Sequence, residues 1–329
     1  MVDMRLQGQG AGKRGAISLL PCESRRSLIK GLVGSFALGF APLALAERSR
    51  HLVPGQSYTG GRIIQRPNEA GFPDPNMGGI GAMTPFVFPV SVAVTPMRDI
   101  FIADAGLQTV FRYDPMLDAM STVRGLRVNQ QTRLAAAPDG SVVVANGLSA
   151  PMIRVSRTGR VMQTMDSQLG GGVFYDEVVV DASSGRYYGL DKVQRRLEEI
   201  MPHGRGGVVM PQGLIPEQPA AMAIDGNNIY IAGRACQCIA AIDPFASRSM
   251  EVVAEDIGQA TALAAGDGWL AVADVREREV RLWRQRALLA EADFASLGLV
   301  DPRGMAIAQQ TLYVADGAGR RVASFRLRA

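Results

Sequence analysis

The apolar residues of this chain fall into short runs separated by tight polar turns, and the strongest runs share one shape. Residues 100–106 read IFIADAG, and the form returns as VVVANGL at 142–148, YYGLDKV at 187–193, IYIAGRA at 229–235, LAVADVR at 270–276 and LYVADGA at 312–318. Each run carries an anchor position, Asp104, Asn146, Asp191, Gly233, Asp274 and Asp316, at separations of 42, 45, 42, 41 and 42 residues. A second apolar run precedes each anchor (90–94, 134–137, 178–180, 222–224, 261–264 and 305–307). A third follows it, beginning at Val110, Ile153, Leu197, Ile239, Val280 and Val322. Pro138-Asp139-Gly140, Asp225-Gly226-Asn227-Asn228 and Gly266-Asp267-Gly268 fall between first and second runs, where hairpins need positive φ or Asx hydrogen bonds. The pattern predicts six units of at least three short strands each.

A fixed period of this kind marks a propeller or a solenoid. The strands are apolar almost without alternation, which argues for burial on both faces, and an open array would bare its end sheets. The expected fold is all-β, a six-bladed β-propeller over residues 88–329. The last unit stops at Ala329 after its third strand, so residues 58–66 of an N-terminal arm, residues 47–87, are expected to supply its outer strand and close the ring. Closure of this kind removes the sheet edges that invite aggregation.

The last unit contains Pro302-Arg303-Gly304, Tyr313-Val314-Ala315-Asp316, Arg321-Val322 and Phe325. In this the units resemble NHL repeats, whose pattern is Pro-x-Gly and an apolar strand, then Tyr-Val-Ala-Asp, then Arg-Val or Arg-Ile leading into an aromatic. The resemblance covers about residues 88–329. It implies the fold and leaves function open, because one fold hosts many activities.

Residues 1–46 follow a different logic. Residues 24–30 read Ser-Arg-Arg-Ser-Leu-Ile-Lys, ahead of a moderately apolar run from Gly31 to Leu45. The paired Arg25 and Arg26 resemble a twin-arginine translocation signal. Ala44-Leu45-Ala46 before Glu47 suits a signal peptidase, so cleavage after Ala46 and a periplasmic or secreted protein are expected. An uncleaved anchor fits less well, since spanning a bilayer takes about 20 apolar residues and this run is shorter and contains Pro42.

Removal of the leader changes the charge. Six of the 35 basic residues (Arg5, Lys13, Arg14, Arg25, Arg26, Lys30) and two of the 31 acidic ones (Asp3, Glu23) precede residue 47, which leaves 29 of each sign. A neutral chain is a poor match for nucleic acid or a membrane surface, whose binders carry net basic patches. With only His51 and His203, a histidine-rich zinc site is close to excluded, and Cys22 lies in the leader.

Several groups could carry chemistry. The loops on the expected ligand side, before each first strand and after each second, contain Arg133, Arg195, Arg234, Arg276, Arg303 and Arg320, with Arg196 and the carboxylates Asp176 and Glu177. Guanidinium groups above a central channel would hold a carboxylate or phosphate by paired bonds; the plainer reading is solvated arginines matched by Glu277 and Glu279. The anchors Asp104, Asn146, Asp191, Asp274 and Asp316 could form a metal or sugar crown, or cap the turns that follow them, and Gly233 breaks the ring. Cys236 and Cys238 are placed on one face of the third strand of unit four. Buried free thiols, a redox-active disulfide, and a thiolate metal site without a further cysteine all remain open for them. The apolar, glycine-rich and proline-rich segment 70–88 is read as a lid or docking element over the channel mouth, or as a plug of the channel. Gly170-Gly171-Gly172 lacks the Lys-Ser/Thr of a phosphate loop and reads as a flexible turn.

No catalytic motif is present, so the first functional expectation is an exported binding or scaffold module that holds a protein, peptide or glycan on its loop face. The alternative is an enzyme of the propeller lactonase or lyase kind, in which carboxylates and asparagines on channel-lining strands hold a divalent cation. Glu177, with Asp176, is the first candidate ligand there. The Glu-Asn-Asn-Asp set of such lactonases and the histidines of NHL-type lyases cannot be assembled from this sequence.

Overall fold

Successive side chains of a strand point to opposite faces, and in this protein both faces are buried. In the strand Ile100–Asp104, Ile100 and Ile102 join one apolar cluster with Phe86, Phe111 and Val322. Phe101 and Ala103 join another with Leu134, Val142 and Val144. Six clusters of this kind fill the spaces between six sheets arranged in a ring. The result is a six-bladed β-propeller, and the lack of polar alternation in its strands is the direct consequence of packing sheet on sheet.

The computed structural model describes residues 50–64, 81–123, 126–165, 174–200, 206–245 and 250–329. The segment with Arg25 and Arg26, residues 70–80, Gly170-Gly171-Gly172 and His203 lie outside them. Among the described residues no helix is long and apolar enough to cross a membrane.

The innermost strands of blades one to six are Pro89–Val94, Arg133–Ala136, Glu177–Val180, Pro219–Asp225, Ala260–Gly266 and Pro302–Ala308. Each is followed outward by antiparallel strands, four per blade, and blade one carries two more, in the order 83–85, 60–63, 119–123, 109–114, 100–104, 89–94.

The ring is closed by an N-terminal strand, but not by the expected segment. Leu52–Tyr58 pairs antiparallel with Arg321–Leu327, with Leu52 opposite Leu327 and Tyr58 opposite Val322. Gly60–Ile63, the apolar part of 58–66, runs parallel to Ala119–Val123 on the rim of blade one instead. An outer strand buries little: Leu52 and Tyr58 are covered, whereas Gly55, Gln56 and Ser57 are exposed. Hydrophobicity therefore selects the wrong neighbour, and backbone pairing decides. The described part of segment 70–88 is neither lid nor plug. Met83–Pro85 pairs with Gly60–Ile63 on the outer edge of blade one, and Phe86 is buried against Phe111.

At the end of the propeller formed by the hairpins between first and second strands, carboxylates hold the turns. Asp99 bonds Arg112 of its own blade at 2.6 Å and Arg157 of blade two at 2.5 Å. Asp139 accepts from the Ser141 amide and hydroxyl and from Arg154, and Asp181 from Ser183 and Ser184. Burial pushes both carboxyls up, but these hydrogen bonds, joined at Asp139 by the Arg154 charge, outweigh it and hold both below the ordinary carboxylate range. A depressed folded-state pKa contributes stability that is present above the ordinary carboxylate pKa and is lost as pH falls through the folded value. The melting temperature of the double variant Asp139→Asn/Asp181→Asn is accordingly expected to start lower at neutral pH and to fall less between pH 5 and acid than the native curve. Parallel curves in differential scanning fluorimetry would show that these caps do not govern the acid limb.

Candidate functional site

The six innermost strands enclose a central channel of about 420 Å³. Pairing with the second strands aligns them in rungs. Ser91, Arg133, Glu177, Ala221, Ala262 and Gly304 each face the residue just before an anchor, and so form the first rung at the channel mouth. Below it the second rung, including Val92, Leu134, Val178 and Met222, packs toward the preceding blade, and the third, including Ala93, Ala135, Val179 and Ala223, toward the following one. The wall is therefore hydrocarbon, and its small residues suit strands converging on an axis.

The first rung is divided. Blades one to three present Ser91, Arg133 and Glu177, and blades four to six present Ala221, Ala262 and Gly304. First-rung side chains share the direction of the third rung, toward the following blade, which lays Arg133 of blade two onto Glu177 of blade three. Arg133 Nε donates to Glu177 Oε1 at 3.1 Å, and Lys192 Nζ donates to the same oxygen at 2.7 Å. Arg133 Nη1 is spent on the carbonyls of Gln130 and Thr132. Among the described residues Glu177 Oε2 accepts no hydrogen bond, although Glu177 is only 5% exposed. Across the mouth Arg303 bonds Asp301 at 2.7 Å and lies over the Phe88 ring.

The structure thus gathers three of the candidate residues, Arg133, Glu177 and Arg303, on the channel. Asp176 stands just outside, accepting from the Lys192 amide at 2.8 Å. Arg195 is half-buried in its turn and donates to the Ile215 carbonyl at 2.5 Å, while Arg234, Arg276 and Arg320 are exposed on turns away from the channel wall. Lys192 was not among the residues singled out for the site, although it is the only lysine after residue 46 and stands directly behind an anchor where other units carry alanine, glycine, arginine or valine.

The anchor side chains point into backbone rather than toward the channel. Asp104 accepts from the amides of Val87 and Phe88, which lead into the inner strand, and from Gly106 and Leu107 of the turn. Asp274 and Asp316 also bridge their inner-strand approach and their turn, Asp191 holds the amides of Val193 and Gln194, and Asn146 accepts from the Thr132 hydroxyl. Cys236 lies in the turn of blade four, and only Cys238 is on the third strand, Cys238–Ile242; the two are joined by a disulfide. Their placement on one strand face is thereby corrected: the turn takes residues 234–237, the same place as 105–108 and 275–278 in blades one and five, so the strand begins only at Cys238.

A divalent cation of the lactonase kind does not fit the described residues. Glu177 is the one carboxylate of the first rung and already faces two cations, and the rungs below offer hydrocarbon. Among the described residues no three His, Cys, Asp or Glu side chains converge as ligands. At the far end, Asp225 and Asp267 are engaged by the amides of Gly268 and Gln310, and burial, with Asp267 nearby, pushes the Asp225 carboxyl up.

No protein-family model matches the chain, and no curated protein matches it. Solved structures do. Virginiamycin B lyase from Staphylococcus aureus superposes with a TM-score of 0.53 at 12% identity, covering 74% of this chain and 96% of that one. A gluconolactonase from Xanthomonas campestris gives 0.59 at 13%, covering 84% and 98%. The complex of nidogen with laminin gives 0.53 at 13%, covering 64% and 82%. At such identities the likeness establishes the six-bladed propeller and nothing finer, and the neighbours include enzymes and a protein–protein complex alike.

Proposed function

We propose that this chain acts on a compact, carbonyl-bearing small molecule at the mouth of its channel, as an exported propeller of the lactonase or lyase kind that works without a bound cation among the residues described. The observation that supports it is the Arg133–Glu177–Lys192 cluster set at one side of an apolar-walled channel. Glu177 Oε2 is the proton acceptor, and Arg133 and Lys192 stabilise negative charge on the substrate oxygen. Ala221, Ala262 and Gly304 leave room opposite for the body of the substrate. The lyase and the gluconolactonase among the structural neighbours support this reading by fold alone. A second reading, a scaffold for a protein, peptide or glycan, is favoured by the exposed Arg234, Arg276 and Arg320 on the same rim.

One experiment separates them. Protein is purified from the periplasm of its host, where a mass beginning at Glu47 is expected, and acid release is followed from a panel of γ- and δ-lactones and a cyclic depsipeptide ester. Glu177→Gln is expected to lower kcat/KM about 100-fold, and Arg133→Lys to raise KM about tenfold. Native activity that survives Glu177→Gln would remove the carboxylate from the chemistry. Inactivity toward the whole panel, together with loss of a co-purifying partner in Arg234→Ala/Arg276→Ala/Arg320→Ala, would move the function to the rim.

A further inference from the structure

Four blades end their second strand on an aspartate and blade two carries Asn146 directly after it, whereas blade four ends it on Gly233. A Cβ built on Gly233 would lie 2.7 Å from Cys236 Sγ and 2.6 Å from Pro216 Cβ, so sulfur fills the space that an anchor side chain takes elsewhere. The turn 234–237 is closed by the Cys236–Cys238 disulfide instead of by a carboxylate.

Three features set this bond apart from a structural staple. It spans one intervening residue, and a disulfide stabilises a fold least when the loop it closes is shortest. Its two residues differ in access: Cys236 is an exposed residue of the turn, whereas Cys238, opposite Gly233 at the start of the third strand, is 4% exposed. Finally, the turn does not owe its shape to the bond. Gln237 has φ 51°, and Gln108, Arg195, Arg278 and Arg320, at the same place in turns without a disulfide, have φ between 51° and 57°. The backbone that brings the sulfurs together is thus available to the dithiol form, and opening the bond does not require refolding.

We propose that Cys236–Cys238 is a thiol–disulfide exchange site on the channel-mouth rim of the propeller, reacting with an external thiol or dithiol. A thiolate of the reductant attacks Cys236 Sγ, the S–S bond breaks, and the electron pair leaves on Cys238 Sγ, which takes up a proton. The second thiol of the reductant then attacks its own sulfur in the mixed disulfide and releases Cys236 as a thiol. Two electrons and two protons pass from the dithiol, which becomes a disulfide. With no carboxylate at position 233, the reduced turn keeps the Arg234 amide bond to the Gln218 carbonyl as its link to the inner-strand approach, and it loosens. This site is independent of the channel reading.

The test uses the mature chain with dithiothreitol and glutathione as probes. Under native conditions millimolar dithiothreitol is expected to reduce the pair at a rate linear in its concentration, without change in the circular dichroism spectrum. Amide exchange in the turn of blade four is expected to rise about fivefold, as for loss of one cap, while the other five turns stay unchanged. Oxidised glutathione is expected to restore the bond. With oxidised glutathione as the probe, folded protein carrying Cys238→Ser should form the mixed disulfide on Cys236, with release of one reduced glutathione, at least about tenfold faster than Cys236→Ser forms it on Cys238. A bond that resists dithiothreitol until the protein unfolds, free thiols that oxidised glutathione cannot join, or equal capture by the two variants would each overturn the proposal. The reduction rate of the native chain decides the matter if either variant does not fold.

Discussion

Asp104→Ala is expected to lower the stability of the propeller by about 4 kcal/mol, because four backbone amides lose their acceptor at once and each buried unsatisfied donor costs about 1 to 3 kcal/mol. The amides of Val87, Phe88, Gly106 and Leu107 lie 2.8 to 3.0 Å from its two oxygens, and the side chain is 0% exposed. In a domain of this size the loss corresponds to a fall in Tm of about 10 °C. Asn146→Ala is the internal comparison. It stands at the equivalent place in blade two, but its side-chain oxygen accepts from the Thr132 hydroxyl at 2.7 Å, so the expected cost is about 1 kcal/mol. Urea unfolding of the two variants measures the ratio. Equal losses would mean that the anchors stabilise through packing and that their bonds to the inner-strand approach contribute little.

Gly304→Ala is expected to cost about 3 kcal/mol, although it adds a single methyl group. A Cβ at Gly304 would meet Ser91 Cα and the Val90 carbonyl oxygen, both at 2.7 Å. These are backbone atoms of blade one, which cannot rotate away as a side-chain tip would, so blade six must move from blade one where the ring closes. Gly213→Ala, where nothing lies within 4 Å of the new methyl, is expected to stay within about 0.5 kcal/mol of the native protein. Similar thermal shifts for both would show that the closure between blades six and one is loose. The substitution also perturbs the first rung of the channel, so ligand binding and stability should fall together in Gly304→Ala.

The first prediction rests on a turn within blade one and the second on a place where two blades meet, and such features were unevenly legible in the chain. Strand positions were readable because a strand buried on both faces must be apolar throughout, so runs such as 100–104 and 312–316 stand out and their period shows. The anchors were readable because a carboxylate at a strand end before a tight turn has a local role, even though half of the Asp104 bonds go to residues 16 and 17 positions upstream. The closing strand was not, since Leu52–Tyr58 gains its place by backbone pairing and exposes its middle.

The candidate site divides in the same way. Arg133 and Glu177 were visible as charged residues at the starts of inner strands, but the sequence carries no sign that they touch. They lie 44 residues apart, and Lys192 lies 15 beyond Glu177. Their meeting depends on the register of three strands and on blades two and three being neighbours around an axis. Irregularities at 89–91, 219–221, 260–262 and 302–304, which shift the first rung in the other four blades, leave no mark in the hydrophobic pattern. The same holds for Cys236, whose sulfur is placed by a turn rather than a strand. Period and burial are properties of each segment by itself, so the chain alone determined the six blades, their order and their anchors. Contacts across blades depend on angles and registers that no single segment encodes, so only the tertiary structure decided which strand closes the ring, which charges share the channel mouth, and which cysteine lies in an exposed turn.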